Sequence, residues 1–241
     1  MNVRILRNGL EGIMKRTIAI VVLCVGLGLV SSSWAADNLK EDAEIIIDKA
    51  RLVMEEVKNA PDSGPVYDLV RQSAGVAIIP DMFKGGFIVG GSYGKGVVLA
   101  RKDGKWSGPS FVYIGAGSVG LQIGAQLTDL ILVVIGQTTM DSFLRSNFKL
   151  GADAAVAAGP LGAQATAATD LYLKGGIYSY SRAKGLFAGV SLEGAGLGTE
   201  FDLNRAYYQT TSNPKEILYS PVETPESAKK LFEALNRLLK E

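Results

Sequence analysis

The 241-residue chain contains no histidine and a single cysteine, Cys24. Without histidine there is no base for a Ser-His-Asp or Cys-His nucleophile, and the commonest zinc ligand is missing. Cys24 sits in an apolar N-terminal stretch, so the remainder of the chain has neither thiol chemistry nor disulfides. Charge of one sign is lacking too: 25 basic residues balance 24 acidic ones, for a net charge of +1. Such a chain has no global field to attract nucleic acid, and any anion site must be a local patch. No apolar run reaches the ~20 residues that a membrane-spanning helix requires.

The longest run, Thr17–Val30, follows Lys15-Arg16 and leads into Ser31-Ser32-Ser33-Trp34-Ala35-Ala36. A charged start, a short apolar middle and small residues at Ser33 and Ala35 describe a secretory signal peptide cleaved after Ala35. An uncleaved anchor is the competing reading, and Met14 is an alternative start. Leu23 before Cys24 is not small, which argues against a lipoprotein. The expectation is export to a periplasm or cell envelope, where a cysteine-free chain is acceptable. Residues 1–35 are set aside as the signal peptide, 36–65 as an N-terminal helix and linker, and 66–241 as one domain.

Asp37–Ala60 carries Ala43, Ile46, Ile47, Ala50, Val53, Met54 and Val57 at helical spacing, and Pro61-Asp62-Ser63-Gly64-Pro65 stops it. A short helix over Val66–Gln72 follows. From Gly75 the period becomes two, which predicts strands at Gly75–Ile79, Gly86–Gly91, Gly96–Lys102, Ser110–Gly115, Val119–Gln126 and Asp129–Ile135. The β-branched run Leu130–Ile135 reads as a strand buried on both faces. A helix over Gln137–Arg145 precedes a second strand set at Phe148–Ala157, Ala163–Ala168, Ile177–Ser181, Phe187–Leu192 and Gly196–Phe201. Thr224 as cap and Pro225 at the first helical position open a C-terminal helix striped by Ala228, Leu231, Phe232, Leu235, Leu238 and Leu239. The fold class is α+β: a curved, mostly antiparallel sheet or barrel-like core with a helix at each end.

Two catalytic-looking motifs fail on context. Gly115-Ala116-Gly117-Ser118-Val119-Gly120 matches a dinucleotide fingerprint, but the alternating residues after it predict a strand where a helix is needed. Gly90-Gly91-Ser92-Tyr93-Gly94 matches a nucleophile elbow, but there is no histidine to serve Ser92. Carboxylates such as Asp141, Asp153, Asp170 and Glu193 lack calcium-loop spacing. No enzyme activity, metal or cofactor is expected.

What stands out is a set of cations beside aromatic residues at strand ends. Ser179–Gly194 (SYSRAKGLFAGVSLEG) places Arg182 and Lys184 at a turn, and Lys84–Phe111 repeats the pattern. Cations at anionic headgroups contribute ~1 kcal/mol each, and interfacial aromatics add burial at the same depth. Solubilisation of strand edges is the competing explanation.

The blocks SAGVAIIPDMFKGGFIVGGSYGKGVV, DGKWSGPSFVYIGAGSVGLQIGAQLTDLILVV, FKLGADAAVAAGP and YSYSRAKGLFAGVSLEG closely resemble the SYLF domain family over about Ala60–Tyr208. The resemblance implies a phospholipid-binding domain that also binds actin in some eukaryotic members. Carried onto this chain by local chemistry, lipid contact falls on Lys84, Lys95, Arg101, Arg182 and Lys184, with Phe83, Phe87 and Phe187 nearby. An exported chain without an SH3 module makes actin an unsuitable partner and an anionic envelope lipid the expected one, with no nucleic acid. A structural or protein-interaction module of the envelope is the alternative. Oligomeric state is left open by the sequence.

Overall fold

Alternation from Gly75 to Ile135 produces two very long antiparallel strands, β1 (Gly75–Lys102) and β2 (Lys105–Ile135). They are joined at Asp103-Gly104, whose φ values of 51° and 75° are those of a two-residue primed hairpin turn. A computed structural model describes residues 37–60, 63–145, 147–160, 176–183 and 186–239, with backbone alone for 86–89 and 118–124. The expected signal peptide and the expected strand Ala163–Ala168 lie outside the described residues.

The β1–β2 ribbon does not stay flat. Register shifts between Ile79 and Met82, Phe87 and Val89, and Val98 and Ala100 mark bulges that bend it. The two arms of β1 then meet: the Arg101 N–H donates to the Ala74 carbonyl at 2.8 Å. A Cβ on Gly75 would lie 2.6 Å from the Leu99 carbonyl oxygen, and one on Gly94 would lie 3.1 Å from Met82 Cα. Glycine therefore lets backbone touch backbone where the ribbon closes on itself. The six strands expected between Gly75 and Ile135 are bent segments of these two. The glycines that read as turns lie within strands, where they permit curvature.

Among the described residues five short strands join the sheet: β3 (Phe148–Lys149), β4 (Val156–Ala158), β5 (Gly176–Ala183), β6 (Leu186–Gly189) and β7 (Gly196–Thr199). The order is β3-β7-β2-β5-β4, with β1 on β2 and β6 on β5; of these pairs β4–β5 is parallel and the rest are antiparallel. The sheet is thus curled, mixed and mostly antiparallel, as expected. The strand expected over Phe148–Ala157 is broken because Asp153 accepts the Lys149 N–H at 2.6 Å and Gly151 turns at φ 87°.

Helices cover both faces. On one face Ile78, Leu99, Phe111, Ile131 and Val133 pack with α1 (37–59) and α2 (Gly64–Gln72). Leu203 and Tyr207 of α4 (Phe201–Tyr208) and Leu231 and Leu235 of α6 (Glu226–Leu238) join them. On the other face Ile79, Val98, Leu130, Leu132 and Val134 pack with α3 (Gln137–Phe143) and with Leu218 of α5 (Pro214–Tyr219). Leu130–Ile135 alternates between the two cores, so its burial on both faces holds. In α1, Ala43, Ile47, Ala50, Met54 and Val57 are fully buried at helical spacing. Each large one contributes about 1.5–3 kcal/mol by burial, so α1 shares the sheet's core.

The sequence reading missed α4 and α5. Phe201, expected to end a strand, opens α4, and Asn213 caps α5 by accepting the Lys215 N–H at 3.0 Å. The last helix starts at Glu226 with Pro225 as its cap, one residue later than expected.

Candidate binding surface

Met82 points into the core, so its neighbour Phe83 points out, opposite Leu127 on β2. Both are exposed, at 49% and 60%. Lys84 follows, opposite Gln126 and, by the same alternation, on the Met82 side of the ribbon. Its ammonium is partly buried and its pKa is lowered by that desolvation, with no carboxylate against it among the described residues. The approach of Gly94 to Met82 brings Tyr93 and Lys95, on the returning arm of β1, close to this corner. Tyr93 is also exposed, at 48%.

The other cations are engaged. Lys95 pairs with Glu200 at 3.3 Å, and the Tyr93 hydroxyl donates to the same carboxylate at 3.4 Å. Arg101 donates to the Val70 carbonyl at 3.4 Å and to the Arg71 carbonyl, and lies 5.8 Å from the Trp106 ring centre. It caps the C-terminal end of α2, where carbonyls lack helical partners and a cation is favoured. Arg182 is held by Asp129 at 3.0 Å and by Glu56 of α1. Lys184 lies outside the described residues. Phe187 is half-buried against the core, and Phe87 is placed by backbone register alone, opposite Ile123.

The structure therefore places Phe83 and Lys84 side by side in β1 on opposite faces of the ribbon, with Lys95 on the arm that returns past them, puts Arg101 at the far end of the ribbon, and builds Arg182 into a clasp. That clasp continues through Lys49 of α1, paired with Asp81 at 2.8 Å, and the Asp81 N–H, which donates to Asp129 at 3.0 Å. Burial raises the Asp129 pKa above the ordinary carboxylate range, opposed by the Asp81 N–H. Leu127 went unread in the sequence, although it alternates with buried Thr128. Ile45 and Leu52 of α1 and Leu186 of β6 are further exposed apolar side chains not foreseen.

Neither catalytic-looking motif is arranged for catalysis. Ser92 lies mid-strand opposite Ala116, with no elbow, and Gly115–Gly120 lies within β2 with no helix after it. Among the described residues no group of three or more acidic, histidine or cysteine side chains is placed to hold a metal, and no helix is long and apolar enough to cross a membrane.

A ribbon curled through close glycine contacts, covered by helices and presenting aromatic and basic groups at one corner, defines an α+β domain of the SYLF type. The family model described as Ysc84, Las17-binding protein actin regulator, matches residues 115–238, and the chain belongs to this family. SH3 domain-containing YSC84-like protein 1 of Rattus norvegicus is 34% identical over 206 residues, 83% of this chain and 59% of the relative. Its Homo sapiens counterpart is 33% identical over 206 residues, with the same coverage of 83% and 59%. LAS seventeen-binding protein 3 of Saccharomyces cerevisiae is 37% identical over 172 residues, 70% of this chain and 37% of the relative. The chain thus spans well under two thirds of each of these relatives.

Proposed function

We propose that this protein binds anionic phospholipid, or a similar amphiphile, without catalysis, at the corner formed by Phe83, Lys84 and Leu127, with Lys95 at its border. The observation that carries this reading is the exposed Phe83–Leu127 pair and, next in β1 on the other face, Lys84, a partly desolvated cation with no carboxylate partner among the described residues. An anionic headgroup supplies the missing counter-charge, and the two apolar side chains gain burial among acyl chains. The proposal includes export, with cleavage near Ala35, which the signal-like N-terminus supports and which makes an envelope lipid the partner. Relatives named for SH3 domains and for binding fit a binding role better than an enzymatic one.

Lys84→Met tests the cation. Capture of the protein on vesicles of anionic phospholipid is expected to fall roughly fivefold, the equivalent of ~1 kcal/mol. Wild-type capture is expected to weaken as salt rises. The folded state holds this ammonium at a cost, so the melting temperature of the variant stays level or rises. Unchanged capture removes Lys84 from the site.

The second reading is a protein-binding module, favoured by the family's description as a Las17-binding actin regulator. Salt-insensitive retention of a protein partner, together with no vesicle capture, supports it instead.

A further inference from the structure

Four strands lie side by side where β1, β2, β7 and β3 meet, and their registers define one row: Tyr93 opposite Gly115, Gly115 opposite Gly196, Gly196 opposite Lys149. The two central positions are bare backbone. Neither glycine is demanded by the fold. A Cβ on Gly115 would sit 3.8 Å from the Ser92 carbonyl oxygen, and one on Gly196 would sit 3.9 Å from the Gly115 carbonyl oxygen, both ordinary contacts, and neither residue has a positive φ. Glycine within a strand weakens it, and where no steric contact calls for it, it often marks a place where a ligand or another backbone comes close. Gly198 is different: a Cβ there would meet the Tyr113 ring at 2.5 Å, so this glycine seats the ring.

The result is a cleft of about 260 Å³ lined by Tyr93, Tyr113, Asn147, Lys149, Leu197 and the two bare glycines. Tyr93 and Tyr113 are stacked, with centres 6.5 Å apart and planes at 25°. The volume falls below that of drug-sized sites and suits one six-membered ring. Aromatic faces favour the C–H face of such a ring, while Asn147 and Lys149 in the lining offer donors and the Asn147 amide oxygen an acceptor. The cleft carries little net charge: Lys149 is the charged residue of its lining, Asp153 lies close by on the Lys149 backbone N–H at 2.6 Å, and nearby Lys95 is paired with Glu200 at 3.3 Å. That balance favours a neutral polyol over an anion.

We propose that this cleft is a saccharide site that takes one neutral hexopyranose unit, its ring face on Tyr93 and Tyr113 above the Gly115–Gly196 floor. Tyr93 and Lys95 stand between it and the proposed lipid corner, while Gly196 lies on its far side. For so few ligand atoms the dissociation constant is on the order of 1 mM. The test is saturation-transfer NMR on the purified protein with methyl glycosides of glucose, galactose and N-acetylglucosamine. At least one is expected to receive saturation, and Gly196→Val and Tyr93→Ala are each expected to weaken its binding at least tenfold. Gly196→Val, which places a side chain on the floor of the cleft, should leave the melting temperature and anionic-vesicle capture unchanged. If Gly196→Val fails to fold, Gly115→Ala serves in its place. Absence of transfer to all three glycosides, or transfer undiminished in the folded variants, overturns the proposal. Loss of vesicle capture in Gly196→Val without glycoside binding also overturns it and assigns the cleft to lipid.

Discussion

Gly96→Ala is expected to lower the melting temperature by about 10 °C, corresponding to roughly 3 kcal/mol or more for a domain of this size. Gly96 lies where the ribbon crosses itself. A Cβ there would be 2.7 Å from Ile79 Cα and closer still to the Ile78 carbonyl oxygen. All these atoms are backbone, in a strand whose side chains are buried on both faces, so no flexible group can move aside. Relief would require separating the arms of β1 and breaking the Arg101–Ala74 hydrogen bond that closes them. Gly115→Ala is the matched control, because its Cβ finds ordinary contact distances; its melting temperature should stay within about 2 °C of wild type. Equal stability of the two variants, measured by calorimetry, would contradict the crossing of the arms.

Arg182→Ala is expected to destabilise the protein by about 2–4 kcal/mol at neutral pH. The side chains of Arg182 and Asp129 are each 17% exposed, and removing the guanidinium strands the Asp129 carboxylate in a poorly solvated place. It also frees Glu56, which ties α1 to the sheet as Lys49–Asp81 does. The pH dependence has a definite sign. The folded pKa of Asp129 is raised, so ionising it costs the folded state as pH rises through the window between its unfolded and folded values. In the variant that cost grows, and acidification relieves it by protonating the carboxyl. The gap between wild type and variant in denaturant unfolding should therefore narrow toward acid pH. Asp129→Asn in the same background should restore part of the loss, and a double-mutant cycle measures the coupling. A loss that stays constant with pH would show that packing, and not the stranded carboxylate, accounts for the effect.

These two residues also show what was legible in the sequence. Local pattern carried well: the Asp103-Gly104 turn, the doubly buried Leu130–Ile135, the α1 stripe and the C-terminal helix all depend on neighbours within a few positions. Gly94 and Gly96 look like turn signals in one dimension. Only the folded ribbon shows that their missing side chains admit a second strand. For the binding residues the limit is the same. Arg182 and Arg101 stand beside aromatic residues and turns as Lys84 does, but their partners Glu56, Asp129 and the end of α2 lie far away in sequence. Cation type and local setting do not distinguish an arginine tied to carboxylates from a lysine with none against it among the described residues. Leu127 was hidden because it flanks the run Leu130–Ile135, whose members are all buried.

The most direct test of the proposed function is flotation of the protein with vesicles of neutral and of anionic phospholipid, for wild type and for the Phe83→Ser/Leu127→Ser double variant. Both substitutions lie on exposed side chains, so the fold should persist with an unchanged melting temperature. The expected result is wild-type capture on anionic vesicles only, falling with salt, and loss of most of that capture in the double variant. Equal flotation of wild type and double variant, or no wild-type flotation with anionic vesicles at low salt, would contradict a lipid-binding corner at Phe83, Lys84 and Leu127.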